Sequence, residues 1–256
     1  MARVISIINQ KGGVGKTTTA VNLAAYLSAY GYRVLLVDVD PQGNASSGLG
    51  IDYRNLERGI YDVLVTDPVT LEEVLQPTNH ENLQVAPSNL NLAGANVELV
   101  NLDRREFRLL DNLRRVLEDY DYILIDNPPS LGLLTLNGIV AADELLIPVQ
   151  CEYYALEGLG QLLHTINLVQ NNLKPEINIL GAVLTMYDGR NKLAEAVFNE
   201  LYQYFPRRIF RSVIPRSIRL AEAPSYGQSI LEFDPQSKGA RAYDKLAQEI
   251  ILSKKI

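Results

Sequence analysis

Gly12, Gly13, Gly15, Lys16 and Thr17 fall within INQKGGVGKTTT at residues 8–19, and their types and spacing suit a bound polyphosphate. Glycines let backbone N–H groups converge on an anion, the lysine reaches the β- and γ-phosphates, and the threonine hydroxyl ligates Mg2+. Val14 and Thr18 complete the run around these residues. The loop departs from the common G-x-x-x-x-G-K-[ST] form, because Gln10 takes the place of the first glycine and a second lysine, Lys11, follows it. A single extra lysine is ordinarily solvated, so Lys11 taken alone assigns nothing.

Carboxylates come next. VLLVDVDPQG ends an apolar run with Asp38 and Asp40, and YILIDNPPS ends another with Asp126. A strand that delivers a carboxylate beside a triphosphate can hold Mg2+ through water or position the attacking water. Aspartates also end strands for purely local reasons. The weight lies in three of them following a phosphate loop in order.

These groups need a scaffold that gathers strand ends. Apolar runs of strand length alternate with segments of helical period, which predicts an α/β fold: a doubly wound, mainly parallel sheet flanked by helices, of the phosphate-loop NTPase type. RVISII, RVLLVD, LQVAP, YDYILID, ELLIPV, INILGAVLT and SVIP read as strands. TTTAVNLAAYLSAY, a short segment from about Leu131, ALEGLGQLLHTINLVQNNL, KLAEAVFNELYQYF and GARAYDKLAQEIILS read as helices. REFRLLDNLRRVLEDY places Phe107, Leu110, Leu113, Leu117 and Tyr120 at helical spacing through its whole length. Residues 41–60, rich in Gly, Ser and Asn, read as a mobile loop. No repeat or linker is visible, so residues 1–256 are expected to form one domain.

The 256 residues are 47% hydrophobic and 21% charged, an ordinary globular balance. The apolar runs are too short to span a bilayer, and no leader with a small-residue cleavage site precedes the first strand. The lone Cys151 can form no internal disulfide, so a reducing cytoplasm is the expected location. A net charge of −6 argues against a globally basic coat for nucleic acid. Yet residues 188–219 carry seven basic and three acidic side chains, a +4 stretch on a body of −10. His80 and His164 have no companions that suggest a metal or a triad.

KGGVGKTT, VDVDPQGNASSGLG, DNPPSLGLLT, VQCEYYALEGL and VIPRSIRLAEAPS, in this order, resemble the ParA/Soj family of deviant Walker ATPases, which segregate chromosomes or plasmids. The resemblance runs along essentially the whole chain. It implies an ATP- and Mg2+-dependent ATPase that forms a sandwich homodimer, with Lys11 reaching the phosphates held by the partner. It implies that Asp40 orients the hydrolytic water, that Asp126 is the second switch residue, contacting Mg2+ through water, and that Pro215 and its neighbours lie against the adenine. It further implies non-specific binding of double-stranded DNA through Arg190 and Arg219, with Arg216 and Lys192 nearby. A ParB-like centromere-binding protein would stimulate hydrolysis, and the protein would be cytoplasmic and nucleoid-associated.

Two rival readings belong to the same wider superfamily. A MinD-like membrane-positioning ATPase needs a basic amphipathic tail; LAQEIILSKKI carries two lysines but reads as the end of a packed helix, so no stable membrane association is expected. A nitrogenase-type iron–sulfur reductase needs two thiolates per subunit, and one cysteine does not supply them. The first strand is expected from about residue 3, which leaves no room ahead of it for an operator-reading helix-turn-helix domain.

Overall fold

The computed structural model describes residues 1–66, 68–152, 157–189, 197, 200–206 and 208–253. Among these residues eight strands form a single sheet in the order β3-β4-β2-β5-β1-β6-β7-β8. They are β1 (Arg3–Ile7), β2 (Val34–Asp38), β3 (Gln76–Pro77), β4 (Leu83–Ala86), β5 (Tyr122–Asp126), β6 (Glu144–Gln150), β7 (Asn178–Tyr187) and β8 (Ile209–Pro215). All pairings are parallel except that of the two-residue edge strand β3 with β4. β1, β2, β5 and β6 are buried at every residue, as expected of parallel strands covered on both faces.

The main helices are α1 (Lys16–Ala29), α2 (Asn44–Gly48), α3 (Ile60–Val65), α4 (Ala95–Glu98), α5 (Arg108–Leu113), α6 (Leu133–Ala141) and α7 (Glu157–Asn172), with a closing helix at Lys238–Leu252. Two apolar cores sandwich the sheet: Leu35, Ile123, Ile125, Leu145 and Ile147 face one, and Ile5, Ile7, Leu36, Leu124 and Leu146 face the other. α1 is buried around most of its circumference because the closing helix lies over it, and Thr19 Oγ1 meets the Tyr243 hydroxyl at 3.2 Å. Arg3 of β1 bonds the Glu144 carboxylate of β6 and donates to Ile250 O at 2.7 Å, tying two central strands to that helix. At the β8 edge the Glu249 carboxylate accepts from Arg211 N (2.9 Å) and Ser212 N (2.7 Å), so the closing helix satisfies edge amides that would otherwise be open to another strand.

Two expectations are corrected. The helix expected through Tyr120 ends at Leu113. The chain then winds more tightly, with Arg115 N donating to Asn112 O and Val116 N to Leu113 O, which still turns Val116 and Tyr120 inward. The stretch 41–60, read as a mobile loop, contains ordered structure: α2 forms within it and Ala45, Ser46 and Leu49 are buried. Much of KLAEAVFNELYQYF lies outside the described residues.

β1 has β5 on one side and β6 on the other, the place in an open α/β sheet where connections diverge and a crevice opens at the strand ends. In register, Ile7 stands beside Asp126, and Asp126 beside Asp38. The phosphate loop leaves β1 at this point.

Candidate nucleotide-binding site

The loop is held from both sides. Asn9 donates to Pro148 O (2.8 Å) and accepts from Lys11 N (3.0 Å), while Gln10 Nε2 reaches Gly158 O (2.5 Å) at the start of α7. Gln10 thus exchanges the usual glycine for an anchor. Thr185 Oγ1 donates to Val14 O at 2.8 Å, fixing the loop to the end of β7. Gly13 (φ 74°) and Gly15 (φ 89°) take left-handed conformations that L side chains rarely adopt. Gly15 caps α1 without a side chain, so the first-turn N–H groups and the positive end of a 14-residue helix face outward toward any anion.

Lys16 is buried, and its Nζ donates to Lys11 O at 3.3 Å. Burial lowers its pKa, and the charges of Asp126 and then Asp40 oppose that shift. Asp126 is fully buried, and among the described residues neither of its oxygens has a hydrogen-bond partner of ordinary geometry. Burial and then the charge of Asp38 push its pKa well above the usual carboxylate range, and the nearby Thr17 hydroxyl pulls it back. A buried, unpartnered carboxylate beside a threonine hydroxyl and a lysine suits a divalent cation whose other ligands are water and phosphate oxygens. Among the described residues no cluster of three His, Cys, Asp or Glu side chains could hold a metal on its own.

Asp40 is also buried, and its Oδ1 accepts from Gln42 N at 3.0 Å. Residue type and spacing gave Asp38 no role distinct from that of Asp40, and the structure supplies one. It accepts from Ser46 N (2.8 Å), Ser46 Oγ (2.7 Å) and Asp40 N (3.2 Å), fastening α2 and Asp40 to the end of β2.

Lys11 sits at the rim with its Nζ 3.7 Å from Glu152 Oε2, and Arg216 reaches the other oxygen of the same carboxylate at 3.3 Å. Pro215 lines a cavity of about 220 Å3 with Gly15, Thr18, Thr185, Met186 and Tyr243. Met186, at φ 51°, is one of two non-glycine residues with positive φ among those described, a conformation that clusters at ligand sites. Nothing in its residue type announced it, and Glu152 acts across the fold, out of reach of local patterns.

The expected DNA residues are only partly visible. Arg190 and Lys192 lie outside the described residues. Arg216 is exposed at the mouth of the cleft. Arg219 is half-exposed but engaged: it bonds Asp234 Oδ2 and Glu222 Oε2, each at 2.9 Å, and its guanidinium carbon lies 4.4 Å from the Phe233 ring centroid. Cys151 is buried, and burial pushes its thiol up to about 11, the mark of an inert side chain.

The family described as AAA domain matches residues 2–179. The chain is 54% identical over 251 residues to the chromosome partitioning protein ParA of Myxococcus xanthus, covering 98% of this chain and 88% of that one. It is 53% identical over 250 residues to the sporulation initiation inhibitor protein Soj of Bacillus subtilis, covering 98% of each. Among solved structures, cobyrinic acid a,c-diamide synthase of Mycobacterium smegmatis with bound ATP analogue and magnesium superposes with a TM-score of 0.87 at 37% identity, over 98% of this chain and 95% of that one. With the phosphate loop, the three strand-end aspartates and the rim lysine assembled at one crevice, this likeness places the chain in the ParA/Soj family of chromosome-partitioning ATPases.

Proposed function

We propose that the protein binds ATP with Mg2+, dimerises around it, binds double-stranded DNA without sequence preference as the dimer, and leaves DNA when ATP is hydrolysed to ADP and phosphate. The observation that carries the nucleotide step is the buried, unpartnered carboxylate of Asp126 beside Thr17 and Lys16. When bound, Mg2+ would supply charge compensation for the phosphates. Thr17 would hold it directly and Asp126 through water. Lys16 would meet the β- and γ-phosphates, with N–H groups from Gly12 to Thr18 around them, and Pro215 would lie against the adenine. Asp40 would orient the attacking water. Lys11, whose one ion pair among the described residues is the 3.7 Å contact with Glu152, would reach the phosphates of the partner subunit.

DNA would be held through Arg219 and Arg216, and through Arg190 and Lys192 in the segment outside the described residues. Phosphate contacts carry no sequence information, so unrelated duplexes would bind alike. A ParB-like protein would accelerate hydrolysis, and the ATP state would gather on the nucleoid in the cytoplasm. The membrane-positioning alternative needs a free amphipathic tail, whereas the closing helix buries Ala240, Tyr243, Leu246, Ala247 and Ile250 in the body. The direct test is ATP hydrolysis with and without Mg2+: activity that needs the ion in the parent and is lost in Asp126→Ala supports the reading, and Mg2+-independent activity contradicts it.

A further inference from the structure

We propose that Tyr53 is a positioning residue for hydrolysis, its ring holding shut the turn that aims the Asp40 carboxylate. The inference rests on the reading of Asp40 given above. Asp40 is wired into a turn at three atoms. Its N–H donates to Asp38 Oδ1 (3.2 Å), its Oδ1 accepts from Gln42 N (3.0 Å), and its carbonyl accepts from Gly43 N (2.9 Å). The turn closes at Gly43, which takes φ 60° and ψ 26° and begins α2 with no side-chain cap.

A glycine here is both required and a weakness. It reaches the left-handed region at no steric cost, yet it is the residue with most freedom to leave it. The open face of Gly43 is covered by the half-buried ring of Tyr53: a Cβ at position 43 would stand 2.5 Å from Tyr53 Cδ2 and 2.7 Å from Cζ. The ring is itself held by the segment it clamps. Tyr53 N donates to Ile51 O (2.9 Å), Ile51 N to Ser46 O (3.0 Å), and the Arg54 guanidinium lies 5.7 Å from the ring centroid. Ser46 in turn bonds Asp38, so the circuit closes on the strand that bears Asp40.

Tyr53 covers the turn that bears Asp40 and not the phosphate loop between β1 and α1, so removing the ring acts first on Asp40. A misplaced water-orienting carboxylate lowers the rate and leaves affinity alone. The test is steady-state ATP hydrolysis by Tyr53→Ala and Tyr53→Phe, with Asp40→Ala as reference and a melting curve for each. Tyr53→Ala should lose kcat by about tenfold or more with KM within about twofold, beside the modest fall in melting temperature that loss of a half-buried ring brings. Tyr53→Phe should restore the parent rate, because the ring face and not the hydroxyl covers Gly43. Parental kcat in Tyr53→Ala beside an inactive Asp40→Ala overturns the positioning role alone. A joint fall in kcat, affinity and melting temperature overturns it in favour of a structural role. Parental hydrolysis by Asp40→Ala overturns the reading of Asp40, and this inference with it.

Discussion

Asp38 and Asp126 stand side by side in register at the carboxyl ends of β2 and β5, both with no solvent exposure, and among the described residues only Asp38 finds hydrogen-bond partners. Burial pushes Asp38 up to about 6 despite its bonds from Ser46, and pushes Asp126 well above the usual carboxylate range. One member of the pair is thus left without a hydrogen-bond partner among the described residues, and the other is locked to its own loop.

We predict that Asp126→Asn raises the melting temperature of the nucleotide-free protein at about pH 8, and that the gap to the parent closes toward about pH 4. Because the folded-state pKa is raised, the parent carboxyl contributes stability only when protonated. That contribution is complete below the unfolded value of about 3.9 and is lost as pH rises through the folded value. The same substitution should abolish Mg2+-dependent hydrolysis. Scanning calorimetry across this range checks it, and a gap that does not change with pH would contradict the account.

Lys16→Ala should weaken ATP binding by about ten- to a hundredfold, the effect of losing one charge-assisted contact in a buried site. The motivation is the buried ammonium, which rests on Lys11 O and is faced by Asp126 and Asp40. Titration calorimetry decides it: unchanged affinity removes Lys16 from the site.

Gly12→Val is predicted to bind ATP and stay monomeric. Gly12 has no positive φ, and a Cβ there would meet nothing nearer than Pro129 Cβ at 4.0 Å, so the monomer has room for a side chain. Loss of dimerisation with ATP binding intact then points to a partner's loop. An ATP-dependent dimer peak from this variant in light scattering would show that the two loops do not approach closely.

In the proposed DNA complex, phosphate would compete with the exposed pairs of Arg219 with Glu222 and Asp234. Exposed pairs of this kind are weak, so Asp234→Asn should tighten binding by no more than about fivefold. Arg219→Ala should weaken it for every sequence alike and flatten the log–log salt slope by about 0.9 for each phosphate it no longer neutralises. A salt titration with two unrelated duplexes tests both, and parental affinity in Arg219→Ala would place the DNA surface elsewhere.

The site was legible in sequence where its causes are local. Glycines at φ 74° and 89°, a lysine and a hydroxyl are set by spacing within one turn, and buried parallel strands show as unbroken apolar runs ending in aspartate. Residues 41–60 misled because Gly, Ser and Asn signal turns, whereas Ser46 is fixed by Asp38 eight residues earlier and by Ser88 N at 3.1 Å. α5 misled because Leu117 and Tyr120 keep helical spacing although the backbone tightens after Leu113. The sharing of Glu152 by Lys11 and Arg216 joins three distant segments and leaves no periodic trace.

The central claim is that the triphosphate, bridged by Lys11, holds two subunits together and that Asp40 ends that state. Asp40→Ala should keep ATP, because its carboxylate is bonded to its own turn and not to the phosphate loop. It should hydrolyse ATP at least about a hundredfold more slowly than the parent, as expected for loss of a positioned acid–base group. Light scattering of this variant with ATP and with ADP is the most direct measurement. The account predicts twice the monomer mass with ATP and the monomer mass with ADP; a monomer in both, or a dimer in both, contradicts it.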